Sequence, residues 1–213
     1  MAIENYQAAK KLALKAARSA VSNGKYPYLP ALDEFVTRDA ICGEEPLGVI
    51  DIPLSKVAGT RTSGRKNSFA NNFMPLLEEG TEFSLKWSNL YDAQMEEGIR
   101  DPILAYEYMM RYYVQEGNKR VSVLKFVEAA SISANVIRLL PKKTDDLQVR
   151  IYYEYVDFYE ASKLCLLDFS TLGAYEELCN FYEKGWKQPW AEEERQQLRS
   201  DFQRFEQVFL NMG

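Results

Sequence analysis

The sequence contains no histidine, which removes imidazole general-base chemistry and the commonest zinc ligand together. Any catalysis must rest on carboxylates, cations, hydroxyls, or a metal held by oxygen. The three cysteines, Cys42, Cys165 and Cys179, are odd in number and widely spaced, so neither a disulfide framework nor a CxxC metal site is indicated. A reducing cytoplasm fits that usage. No apolar run approaches a membrane span. The N-terminal stretch lacks the continuous apolar centre of a secretory signal; it reads as an amphipathic helix over 4–23, ended near Gly24 and docked with its lysines toward water. There is no strongly basic domain or tail. The net charge is −5, and residues 142–213 hold 9 Lys/Arg against 14 Asp/Glu, while the first 141 residues hold 17 of each. Non-specific nucleic-acid binding depends on concentrated positive charge, so strong DNA binding by this chain is not expected. Internal repeats and low-complexity tracts are also missing.

What is present is the composition of a globular protein, 46% hydrophobic and 27% charged over 213 residues. That length suits one good domain with appendages or two small domains. "LGVIDIPL" (47–54) reads as a strand ending at Pro53. The following "SKVAGTRTSGRKNSFANNF" is a loop by composition. "FSLKWSNLYDAQMEEG" carries Leu85, Leu90 and Met95 on a rough helical period and stops at Gly98. "DPILAYEYMMRYYVQEG" is rich in aromatic and β-branched residues and reads as a hairpin. A helix after Gly117 is expected to bury Val123, Phe126, Val127 and Ala130, and "NVIRLL" returns as a strand. The expected class is α+β: a small mixed sheet with helices over 47–141, a helical extension over 1–46, and a mainly helical acidic region over 142–213. In that last region Tyr152, Tyr155, Val156 and Tyr159 share one helical face, and Leu198, Phe202, Phe205 and Phe209 share another; both read as core. "LCLLDF" is ambiguous between strand and buried helix.

The stretch "YYVQEGNKRVSVLK" (112–125) raises a chemical question, because its strand ends in a glycine turn that feeds a helix with Lys119 and Arg120 in the first turn. Such a turn gathers unpaired N–H groups at the positive end of the helix dipole, where anions bind. Arg's planar fork suits a pair of phosphate oxygens. An ordinary turn with two solvated cations produces the same string, and the residues alone favour that reading, because the string is a weaker pattern than a full P-loop.

Four segments in order resemble the ParB/sulfiredoxin-like superfamily, most closely its ParB-like N-terminal, nuclease-labelled domains. "IDIPLSKV" is similar to the opening strand and turn. "AGTRTSGRK" falls where ParB proteins carry an RPNPxQPRK-like loop, with Arg65 and Lys66 matching the final basic pair. "EEGIRDPI" matches xxGxxxPI at Gly98, Pro102 and Ile103. "QEGNKRVSVLK" matches the phosphate box GERRxRAxK at Gly117, Arg120 and Lys125. The resemblance covers roughly residues 48–141.

It implies a binding set for nucleotide phosphates: Glu116, Gly117, Asn118, Lys119 and Arg120 from the box, with Thr60, Ser63 and Arg65 from the facing loop. The implied ligand is a nucleoside triphosphate with Mg²⁺. Glu116 stands where related free-serine kinases have an acidic residue, implying a polar or metal-bridging role; a surface carboxylate without a role is equally open. The pattern also departs from the family. Gly59, Thr60, Ser63 and Gly64 replace the loop's Pro, Asn, Gln and Pro, so residues tied to hydrolysis are largely missing and turnover is less expected than binding. Asn118 stands where sulfiredoxins have cysteine, and an amide cannot reduce a sulfinic acid. No helix-turn-helix unit follows Pro141. Three functions remain: a nucleotide-binding module with or without slow turnover, an interaction module whose site has decayed, and a DNA-associated partition or nuclease-type protein. A homodimer is open, and no membrane partner is expected.

Overall fold

The computed structural model describes residues 2–212; the side chains of residues 2, 3, 65 and 210–212 lie outside the described part. The chain forms two compact units, Met1–Lys142 and Lys143–Gly213.

The first unit is α+β. It opens with helix α1 (Ala2–Ser22) and continues through β1 (Ile41–Pro53), β2 (Val57–Thr60), α2 (Glu82–Glu96), β3 (Ile103–Tyr108), β4 (Arg111–Glu116), α3 (Asn118–Phe126) and β5 (Ser131–Pro141). The five strands make one mixed sheet in the order β1-β5-β3-β4-β2. β1 runs antiparallel to β5, β5 parallel to β3, β3 antiparallel to β4, and β4 parallel to β2. The hairpin expected within 101–117 is present as β3 and β4, and Gly117 sits at the strand-to-helix turn.

Period 2 explains the strands. In β3 the residues alternate buried and half-buried, with Ile103 and Ala105 facing the main core beside Ile132, Ala134 and Val136 of β5 and Val114 of β4. Val121 and Leu124 of α3 close that core. A second cluster joins Tyr6, Ala9 and Ala13 of α1 to Trp87 of α2 and Val123 of α3. There the Trp87 Nε1–H donates to the Ser122 Oγ at 2.8 Å, both residues buried, which ties α2 to α3.

Three expectations about local packing need correction. Leu85 and Met95 are 56% and 63% exposed, and α2 instead buries Ser84, Trp87 and Ser88. α3 buries Val121, Ser122, Val123 and Leu124, while Phe126 and Val127 are half-buried and Ala130 is exposed. The loop over 55–73 contains strand β2 and a 3-10 turn, Ser63–Ser68.

The second unit contains α4 (Leu147–Ser162), α5 (Ala174–Phe181) and α6 (Glu192–Met212). Asp146 caps α4 by accepting from the N–H groups of Gln148 and Val149. Tyr155, Phe158, Tyr175 and Trp190 form an aromatic core. "LCLLDF" is irregular rather than strand or helix. On α6, Leu198 is buried, whereas Phe205 and Phe209 are exposed and stack on each other. Among the described residues no helix is long and apolar enough to cross a membrane.

Candidate functional site

Gly117 is required by geometry before any ligand is considered. Its φ of +109° is in the region that side chains rarely adopt, and a Cβ there would lie 2.4 Å from Ile103 Cγ2. The tight turn brings the start of α3 onto the first residue of β3. Gly59 plays a similar part on β2, since a Cβ there would lie 2.2 Å from the Pro30 carbonyl oxygen. The neighbouring Thr60 N–H donates to that same oxygen.

These two close approaches bring Thr60 to Asn118. The buried Thr60 hydroxyl donates to the Val114 carbonyl at 3.0 Å, and Asn118 Nδ2 donates to Thr60 Oγ1 at 3.4 Å. Asn118 Oδ1 is buried and receives no hydrogen bond. It is an acceptor, suited to an N–H, an O–H or a water rather than to a bare phosphate oxygen.

The cations of the box diverge. Lys119 lies with its Nζ 4.6 Å from the centre of the Phe83 ring. Arg120 turns toward the loop before β3, and its Nη1 donates to the carbonyls of Asp101 at 3.2 Å and Pro102 at 2.9 Å. Neither Glu116 nor Glu128 is its hydrogen-bonding partner there. Glu116 is exposed at the end of β4, opposite Leu104.

The facing loop is partly engaged elsewhere. The Ser63 N–H donates to the Asp33 carboxylate at 3.3 Å. Lys66 pairs with Glu34 and lies over the Tyr26 ring, and its ammonium pKa is raised, chiefly by the Glu34 hydrogen bond. The Arg65 backbone belongs to the 3-10 turn, but its side chain is outside the described residues. Its expected approach to the box is therefore not part of the observed geometry. Lys125, matched to the end of the box, donates to the Val57 carbonyl at 3.1 Å and sits over Phe73. Burial lowers its pKa to about 8.

The site also includes residues that the sequence did not single out. A cavity of about 280 Å³ lies between the end of α2, the loop before β3 and the first turn of α3. Its walls combine Leu90, Ala93 and Ile99 with Glu97, Arg100, Asp101 and Arg120. Arg100 stands inside "EEGIRDPI", between the matched Gly98 and Pro102, and only its charge marked it. Arg61, beside Thr60, lies over the Tyr106 ring at 5.1 Å. Among the described residues no group of three or more Cys, Asp or Glu is arranged to hold a metal ion.

No family model and no curated protein matches the chain. Among solved structures, sulfiredoxin from Arabidopsis thaliana is similar at 18% identity over 41% of this chain and 82% of that one, with a TM-score of 0.30.

Proposed function

We propose that the first unit is a ParB-like module that binds a phosphate-bearing ligand, a nucleoside triphosphate with Mg²⁺, beside the Gly117–Arg120 turn. The observation that carries this reading is the cavity at the first turn of α3, where Arg100 and Arg120 stand among three apolar side chains and the acidic Glu97 and Asp101. Ligand sites combine an apolar body with a few placed charges, and Arg100 and Arg120 supply charges suited to phosphate. The helix N-terminus adds backbone N–H groups and partial positive charge. With no triad of carboxylates among the described residues, Mg²⁺ would come in with the phosphates. When bound it would neutralise their charge. Arg120 would orient the phosphates and the apolar wall would exclude water. On this reading duplex DNA is a weak ligand, because the first 141 residues are balanced in charge and the remainder is acidic.

A second reading, an interaction module that retains the fold without the site, is favoured by the engaged cations. Arg120 is held by two backbone carbonyls and Lys66 by Glu34. A thermal-shift series with ATP, CTP, GTP and UTP, each with and without Mg²⁺, separates the two. Nucleotide binding predicts a concentration-dependent rise in Tm for at least one of them. It also predicts that Arg100→Ala and Arg120→Ala each weaken that ligand by tenfold or more, corresponding to the loss of about 1.5–3 kcal/mol for a charge-assisted pair. A shift in none of the eight conditions rejects the first reading.

A further inference from the structure

The geometry points to a register key in the sheet: a row of charges, the buried Arg138 and Glu107 with the half-exposed Glu45 beside them, that decides how β3 pairs with β5. Glu107 and Arg138 are fully buried, and Arg138 Nε donates to Glu107 Oε2 at 2.7 Å. Arg138 Nη1 lies 3.8 Å from Glu45 Oε2, whose side chain is partly exposed. The three residues come from three adjacent strands and stand level, since Glu45 is opposite Arg138 across β1 and β5, and Glu107 is opposite Arg138 across β3 and β5.

The apolar pattern by itself does not fix this pairing. The core-facing residues are Ile103, Ala105 and Glu107 on β3 and Ile132, Ala134, Val136 and Arg138 on β5. Because side chains alternate with period 2, the pattern forbids a slip of one residue and permits a slip of two. In the slip that sets Ile103 against Ile132 and Ala105 against Ala134, small and aliphatic residues still meet small and aliphatic residues. Only the charges object, because Glu107 would then leave Arg138 while both stay buried.

The other Glu107 oxygen serves the hairpin. Oε1 accepts from the Met110 N–H at 2.8 Å, in a turn where Met109 and Met110 have φ of +50° and +62°. Two-residue turns of that shape usually take Asn-Gly, and two methionines there are strained. One carboxylate thus holds β3 to β5 and the tight turn to its conformation. The hairpin that this turn closes also sets the other end of β3, where Ile103 stands against Gly117 through the pairing of β3 with β4.

The test is the double variant Glu107→Leu/Arg138→Met in the full chain, which removes both charges and keeps apolar volume. Amide NMR spectra and residue-level hydrogen exchange are compared with the native protein. The key predicts a folded double variant in which the amides that pair β3 with β5 show doubled signals, or lose tenfold or more of their exchange protection relative to those that pair β3 with β4. A folded variant with one set of signals and protection within twofold of native overturns it. So does a double variant that fails to fold, because the pair would then be needed for stability at large rather than for choosing among pairings. The single variant Arg138→Met strands a buried carboxylate and is expected to lower Tm more than the double variant; the opposite order also counts against the key.

Discussion

Gly117 shows how a residue can be legible in type and opaque in cause. The sequence marks a turn there, and the anion reading attaches naturally to it. The structure gives two reasons that involve no ligand, a left-handed backbone and Ile103 Cγ2 in the place of a Cβ. Neither was readable, since Ile103 is fourteen positions away and meets Gly117 only through the pairing of β3 with β4. Gly117→Ala is expected to destabilise the first unit by about 2–5 kcal/mol, combining backbone strain with overlap. A cycle with Ile103→Ala separates the two contributions. If overlap matters, the double variant should be more stable than the sum of the single effects by about 1–2 kcal/mol in denaturant unfolding. Strict additivity would assign the glycine to its φ alone. The site's cations were likewise legible as charges and not as directions. Lys119, Arg120 and Lys66 each find a ring, a carbonyl or a carboxylate nearby, and those partners come from distant parts of the chain.

Among the elements, the β3–β4 hairpin and the helices were readable because each carries its own period and its own stop signal. β2 was not. It has four residues in a Gly- and Thr-containing stretch, and its partner β4 runs parallel to it across a long separation. The face of α2 was misread for a different reason. Leu85, Leu90 and Met95 are five residues apart, a spacing that drifts around a helix of 3.6 residues per turn. The true face is small and aromatic, with Ser84 and Ser88 letting the Trp87 ring approach the core. The bond from the indole N–H to the Ser122 hydroxyl is its polar anchor. Ser122→Ala should strand a buried donor at a cost of about 1–3 kcal/mol, whereas the pair Ser122→Ala/Trp87→Phe removes the stranded group and leaves only lost volume. Equal cost for Ser122→Ala in the native and the Trp87→Phe backgrounds would show that the bond contributes nothing to the α2–α3 contact.

For the whole molecule, the sequence showed where the charge changes but not how the units respond to pH, because the responsible groups are shifted by burial. In the first unit burial lowers the Lys125 pKa to about 8, below its ordinary 10.5. The unfolded chain therefore binds more protons than the folded one between those values, and stability should rise with pH across that window. Tyr6 works in the opposite sense. Burial, with Glu78 and Glu79 nearby, raises its pKa from 10.0 to about 12, so above pH 10 the unfolded chain loses its proton first and stability should fall. In the second unit Tyr182 is also raised to about 12, mainly by burial and then by its bond to Asp201. The first unit should thus gain stability from about pH 8 to 10 and lose it beyond, while the second should show only the loss. Pulse hydrogen exchange of the full chain, equilibrated in denaturant at pH 7 to 11 and labelled at one fixed pH, reports each unit separately. Lys125→Met should abolish the rise in the first unit and leave the fall above pH 10 in both. A rise that survives Lys125→Met would mean that another group titrates there, and that the lysine's burial does not govern the alkaline behaviour of this unit.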